Sequence, residues 1–294
     1  MCRIGVIALT FLCSLTMAGG DYKPPPAENI WEGTDIRKHV ELTPYLVDGA
    51  DNIGIIICPG GSYFWHDIDA EGHAVAKWLQ NNGIASFVLN YRTAYAPAYL
   101  THYRLFFRGN RYPDAQDDLR RAIRHVKNNA MEYRIDSTRI GAMGFSAGGH
   151  LVMSATELFD EYDIPAFIAA IYPVVTMTHD CVHKRSRRGL LGDSKVWNSN
   201  LRDLLSLEKH VRANCPPIFL VNCKDDPIVD YRNSELLDSA LTANKVPHVY
   251  YQYKTGGHGF GASDSKGTAE CREWRNKFLI WINKLYGNEP EPQI

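Results

Sequence analysis

Short apolar runs alternate along this chain with longer stretches in which apolar positions recur every third or fourth residue. The run Ile-Gly-Ile-Ile-Ile-Cys over 53–58 predicts a buried strand that stops at Pro59-Gly60-Gly61. Residues 70–81 have helical periodicity through Ala74, Val75, Trp78 and Leu79, and Asn82-Gly83 ends it. A second strand is predicted over 84–89. A helix follows over 114–129 with Leu119, Ala122, Ile123 and Val126 on one face. The pattern then predicts a strand over 139–143 and a helix over 147–158. Further strands fall at 167–172, 218–222 and 249–253, and further helices at 234–241 and 269–286.

Strands separated by helices of this length imply βαβ crossovers and a mostly parallel, doubly wound α/β sheet flanked by helices. Residues 37–47 suit an antiparallel addition at the sheet edge. The expected division is a leader at 1–18, a Pro- and Gly-rich linker at 19–30, one catalytic domain at 31–288 and a tail at 289–294. Two insertions break the alternation. Residues 93–113 are rich in Tyr, Phe and Arg, and residues 176–200 hold the basic run Lys184-Arg185-Ser186-Arg187-Arg188. Insertions at strand ends are usually functional loops or lids. The basic run itself reads as a solvated face.

The N-terminus changes the expected location of the protein. Arg3 precedes an apolar run over 4–15, and Thr16-Met17-Ala18 offers small residues for cleavage, the pattern of a secretory signal peptide. A secreted or periplasmic protein is expected. Phe11-Leu12 before Cys13 are larger than a lipoprotein site normally shows, and no later segment is long and apolar enough to span a membrane. Composition adds little conflict: 45% hydrophobic and 22% charged residues suit a large core, and a formal net charge of −1 lacks the basic excess of a nucleic-acid binder. Of seven cysteines, Cys2 and Cys13 would leave with the leader. Cys58, Cys181, Cys215, Cys223 and Cys271 show no C-x-x-C spacing, so no zinc site is expected. Disulfide pairing cannot be read from them, and Cys58 and Cys223 suit buried free thiols. Oligomeric state is not encoded in these patterns.

The chemistry centres on Gly144-Phe145-Ser146-Ala147-Gly148, a G-x-S-x-G sequence between a predicted strand and a predicted helix. In that setting a serine occupies a tight elbow, with small residues letting strand and helix approach closely. A serine nucleophile needs a base, an acid to orient the base, and donors for an oxyanion. The expected chain order is serine, acid, histidine. Asp226, in Asp225-Asp226-Pro227 after the strand at 218–222, is the candidate acid, with Asp225 its neighbouring alternative. His258, in Gly256-Gly257-His258-Gly259 after the strand at 249–253, is the candidate base. Gly61 and Ser62 in Cys58-Pro59-Gly60-Gly61-Ser62, together with Ala147, are the candidate oxyanion donors. Tyr63, Phe64, Trp65 and Tyr91 are candidate substrate contacts that could stack on sugar rings or pack inside. His66 and His73 are weaker candidates. No metal-ligand spacing, Walker sequence or dinucleotide fingerprint is present, so no cofactor is implied.

On these residues the chain resembles the α/β-hydrolase superfamily, and within it the secreted bacterial carbohydrate esterases related to acetylxylan esterases. The similarity runs over about residues 37–286 through the Pro59-Gly60-Gly61-Ser62 loop, Glu71-Gly72, Asn90-Tyr91-Arg92, Tyr112-Pro113-Asp114, the stretch 117–123, the stretch 136–141 and Gly144 to His150. Ser62 stands where a third glycine is usual, and the segment 93–113 is longer than the connection common in relatives. The resemblance implies removal of acetyl groups from plant polysaccharides or oligosaccharides through an acyl-enzyme, with an acetylated carbohydrate as the partner molecule. Lipases, feruloyl esterases and serine peptidases or amidases share these motifs, and a non-catalytic binding protein on the same fold is the alternative of another class.

Overall fold

Continuous apolar runs make strands that bury both faces, and the centre of this molecule is built from them. The computed structural model describes residues 24–34, 39–50, 52–100 and 109–287. The expected leader, the middle of the first insertion and the C-terminal tail lie outside them.

The sheet has eight strands: β1 (Glu28–Asn29), β2 (Glu41–Tyr45), β3 (Asn52–Cys58), β4 (Ala85–Asn90), β5 (Ile135–Phe145), β6 (Ile168–Ile171), β7 (Ile218–Cys223) and β8 (His248–Tyr253). They run in the order β1-β2-β4-β3-β5-β6-β7-β8. The β1–β2 and β2–β4 pairs are antiparallel and every other pair is parallel. Chain reversal of direction around β3, with later strands added on one side, brings the C-terminal ends of β3, β5, β7 and β8 to one rim, where ligands bind in open α/β sheets. The stretch expected to be a linker differs from expectation at its end. Glu28–Asn29 pairs with β2 and Ile30 is buried, because an apolar residue beside an antiparallel edge gains more by covering the sheet than by staying in water.

Two apolar layers cover the sheet. A π-type turn at Ile68–His73 leads into α1 (Ala74–Asn81), so the predicted helix over 70–81 begins in a wider coil. The short α2 (Ala96–Leu100) lies in the first insertion, and α3 (Asp114–Asn128) places Leu119, Ala122, Ile123 and Val126 in the core. The nucleophile candidate precedes α4 (Ala147–Leu158), buried almost throughout. The second insertion forms α5 (Lys184–Leu191) and α6 (Ser199–Leu204). The chain closes with α7 (Arg232–Ala243), α8 (Ala269–Arg272) and α9 (Trp274–Tyr286). The single helix expected over 269–286 is thus two, joined at Glu273 after a Thr268 cap whose hydroxyl accepts from the Cys271 N–H. All five cysteines of the described residues are free thiols. No helix among them is long and apolar enough to cross a membrane.

Candidate active site

The strand-to-helix turn at Ser146 works because the residues two positions to either side, Gly144 and Gly148, have no side chains. A Cβ on Gly144 would lie 2.2 Å from the Gly148 carbonyl oxygen, and one on Gly148 would lie 2.0 Å from that of Cys58. Both obstacles are backbone, so neither can move aside. With those contacts available only to glycine, β5 meets α4 closely and Ser146 takes φ +53°, ψ −116°, a conformation L residues rarely adopt. The turn is pinned by hydrogen bonds from the Ser146 N–H to the Ile171 carbonyl (3.0 Å) and from the Val174 N–H to the Ser146 carbonyl (3.1 Å).

From β8, 112 residues later in the chain, His258 brings Nε2 to 2.9 Å from Ser146 Oγ. Its Nδ1 lies 2.6 Å from Asp226 Oδ2. The carboxylate accepts, so Nδ1 carries the proton and Nε2 is left as the acceptor for the serine hydroxyl. The other oxygen of Asp226 accepts from the Ile228 N–H (2.8 Å) and the Val229 N–H (2.9 Å), and the side chain is 1% exposed. Asp225, the alternative acid, points elsewhere. Its carboxylate accepts from the Gly256 N–H (3.2 Å) and the Gly257 N–H (2.9 Å), fastening the loop that carries His258.

The loop after β3 sits against the serine: a Cβ on Gly60 would fall 2.8 Å from Ser146 Cβ. The Gly60 N–H is engaged by Glu71 Oε2 at 2.7 Å. The N–H groups of Gly61, Ser62 and Ala147 donate to no acceptor among the described residues. Ser62 and Tyr63 hold φ of +58° and +62°. The missing third glycine is therefore a real departure: a serine accepts the left-handed conformation here at a cost. That conformation is held by outside contacts. The Tyr91 hydroxyl donates to the Pro59 carbonyl (2.7 Å). The Tyr63 hydroxyl lies 2.8 Å from His150 Nδ1, and His150 Nε2 donates to the Leu205 carbonyl (2.9 Å). Burial pushes His150 down to about 4, consistent with a neutral ring that accepts at Nδ1.

The candidate sugar contacts need correcting. Tyr63, Phe64 and Tyr91 are all buried, the Tyr63 and Tyr91 hydroxyls brace the loop, and Phe64 and Tyr91 border the cavity next to His66. Trp65 alone of the four is partly exposed. His66 packs its ring edge against Tyr91 (4.3 Å) beside a cavity of about 290 Å³, and burial pushes it down to about 4. His73 Nδ1 pairs with the Tyr45 hydroxyl (2.9 Å), away from the serine.

The model of the BD-FAE family matches residues 48–241. This chain belongs to the BD-FAE family. It is 31% identical over 257 residues to endo-1,4-beta-xylanase B of Butyrivibrio fibrisolvens, covering 81% of this chain and 38% of that protein. It is 30% identical over 224 residues to an acetylxylan esterase of Xylanibacter ruminicola, covering 75% of this chain and 44% of that protein. The chain thus spans less than half the length of these two relatives. Among solved structures it resembles an acetyl ester-xyloside bifunctional hydrolase from Caldicellulosiruptor lactoaceticus. The TM-score is 0.74 at 28% identity, with 92% of this chain and 99% of that one covered. The fold is that of the α/β-hydrolases.

Two groups of this BD-FAE chain escaped the sequence reading. Glu71 is buried, and its second oxygen accepts from the Tyr172 hydroxyl at 2.8 Å. That hydroxyl in turn accepts from the Gly261 N–H at 3.0 Å, and the Tyr172 ring packs 4.6 Å from His258. One carboxyl therefore ties the loop after β3 to the loop that carries His258. Burial pushes the Glu71 carboxyl up from its ordinary value, with the charge of His258 pulling it down. His183, before α5, lies within electrostatic reach of both His258 and Asp226. Burial and the nearby Arg185 push it down to about 4. Neither residue has a local signature. In the sequence Glu71 stands out only as part of the family-like Glu71-Gly72 pair.

Proposed function

We propose that this protein is an exported serine esterase that removes acetyl groups from plant-type polysaccharides or oligosaccharides, acetylated xylan among them. The observation that carries the reading is the unbroken hydrogen-bond chain from Ser146 through His258 to Asp226, beside three unengaged backbone N–H groups. The acetylxylan esterase named among the relatives supports the substrate class. The apolar run near the N-terminus supports export.

In this mechanism Ser146 Oγ attacks the ester carbonyl carbon while its proton passes to His258 Nε2. Asp226 keeps the Nδ1 proton in place and stabilises the imidazolium. The carbonyl oxygen becomes an oxyanion that accepts from Gly61, Ser62 and Ala147. An oxyanion donor of this kind contributes roughly 10² to 10³ in turnover. His258 returns the proton to the departing sugar hydroxyl as the tetrahedral species collapses to an acetyl-enzyme. Water, deprotonated by the same Nε2, then releases acetate and regenerates the serine.

Acetate release from acetylated xylan tests the reading. Ser146→Ala and His258→Ala should each lower turnover by roughly 10⁴- to 10⁶-fold while the protein stays folded. A fluorophosphonate probe should label Ser146 in the wild type. Near-normal acetate release from either variant would overturn the mechanism.

A further inference from the structure

The basic run of the second insertion is not a uniform solvated face. It forms the first turns of α5, and that helix is seated on the loop that carries two of the candidate oxyanion donors. A Cβ on Gly189 would fall 2.3 Å from the Ser62 carbonyl oxygen and 3.0 Å from Tyr63 Cβ. Close seating of this kind fixes where each cation of the run can point. Arg187 is buried and donates to the Met177 carbonyl at 3.0 Å. Arg188 pairs with Asp193 at 2.8 Å. Lys184 is exposed to solvent.

Arg185 is different. Its guanidinium carbon lies 6.0 Å from the centre of the Trp65 ring and 5.4 Å from that of Tyr99. The two rings meet edge to face, 5.4 Å apart at 80°. No carboxylate among the described residues pairs with Arg185, although the chain has 33 acidic residues to 32 basic ones. Trp65 and Tyr99 are both partly exposed. The group stands next to the reacting centre on two sides. Trp65 follows the loop after β3, where its carbonyl oxygen abuts Gly61. His183, two residues before Arg185, is within electrostatic reach of Arg185, His258 and Asp226.

A partly exposed aromatic pair suits the C–H face of a pyranose. A guanidinium stacked on those rings keeps its N–H edges free for a bidentate pair with a carboxylate. We propose that Arg185, Trp65 and Tyr99 form a subsite for a carboxylate-bearing sugar, so that the preferred substrates are acetylated glycans with uronic-acid substituents. This rests on the esterase reading above. The subsite touches the part of the glycan beyond the ester, so its binding energy serves selection among acetylated chains rather than the chemical step.

The test uses the full chain and acetylated xylo-oligosaccharides carrying a uronic-acid branch, compared with the same oligosaccharides after the branch has been removed enzymatically. Acetate release should give the wild type a several-fold higher kcat/KM on the acidic set. Arg185→Gln should lower kcat/KM on the acidic set by roughly tenfold more than on the neutral set, and Arg185→Lys should fall between, keeping charge without the fork. Added salt should narrow the wild-type preference. Equal wild-type kcat/KM on the two sets, or equal losses in Arg185→Gln, would overturn the subsite and leave the esterase reading standing. Failure of the wild type to release acetate from either set would overturn the esterase reading and the subsite with it.

Discussion

The serine and the histidine of this site are held in opposite ways. Around Ser146 the chain is fixed by backbone packed on backbone. The glycines there are demanded by space, and every residue from Ile140 to Leu151 is buried. The loop around His258 is packed at its ends, where Gly256 abuts Cys223 and Cys271 and Phe260 is buried, but its tip has little to pack against. A Cβ on Gly257 or Gly259 would meet nothing within 4 Å, and both are glycine for their φ of +65° and +74°. That loop is held by polar contacts instead: Asp225 to two N–H groups, Tyr172 to Gly261, and Asp226 to the imidazole. A serine turn set by packing fails by unfolding. A base set by hydrogen bonds fails by losing its orientation while the fold survives.

The largest effect that would sharpen this contrast is expected from Asp226→Asn. The Ile228 and Val229 N–H groups claim the amide oxygen, since they already bind one carboxylate oxygen. The amide NH₂ then faces His258 Nδ1, which must accept. The proton moves to Nε2, and the base can no longer take the serine proton. Turnover should fall by roughly 10⁴-fold with thermal unfolding unchanged. Asp225→Asn, one residue earlier, should cost at most about tenfold, because it weakens a loop clamp and leaves the tautomer alone. Comparable losses in the two would mean that Asp225 and Asp226 do not have separate tasks.

Gly148→Ala comes next and reads out on the other side of the comparison. Its Cβ would sit 2.0 Å from the Cys58 carbonyl oxygen, backbone at the end of the central strand β3 that cannot move aside. Calorimetry should show a loss of about 3 kcal/mol or more in stability. A variant that unfolds like the wild type would show that the elbow is not held by packing.

How much of this could be read in the sequence follows the same division. The elbow was legible because its cause is local: small residues, a strand before and a helix after fall within a dozen positions. The order of Ser146, Asp226 and His258 was legible because strand ends on a parallel sheet share one rim. The choice between Asp225 and Asp226 was open in the sequence, since two adjacent acids look alike until the chain shows which one faces the imidazole. Whether Tyr63 and Phe64 stack on sugar or pack inside is open in the sequence, because α5, more than 100 residues away, is what closes over their loop. The basic run was read as a solvated face for the same reason. Side-chain direction in a short amphipathic helix depends on what the helix covers. Glu71 has no periodic or spacing signal at all, because its partners come from the loop after β3 and the end of β6.

Glu71→Gln probes the one group that belongs to both regions. Each carboxyl oxygen accepts one hydrogen bond, from Gly60 and from Tyr172. Glutamine has one acceptor oxygen, so its NH₂ must face either the Gly60 N–H or the Tyr172 hydroxyl, which would then have to turn from donor to acceptor. We expect turnover to fall roughly tenfold, with KM changed less than kcat, because one of the two loops loses its tether. A Gln variant as active as the wild type would separate the two loops and restrict the contrast to packing against polar clamps.

The smallest effect is the sharpest check on the contrast itself. Gly257 and Gly148 are both glycine, but for different reasons. At Gly257 a methyl group would find open space, and the only obstacle is φ of +65°. Strain from a single alanine in the left-handed region costs about 1 to 2 kcal/mol, and part of it is returned through the lower entropy of the unfolded chain. Gly257→Ala should therefore lower stability by about 1 kcal/mol and turnover by about twofold, since the Gly257 N–H still reaches Asp225. Gly148→Ala meets a wall and should cost at least about three times as much in stability. If the two alanines cost the same by calorimetry, strain rather than contact sets the demand for glycine at both, and the elbow and the base loop are built on one principle.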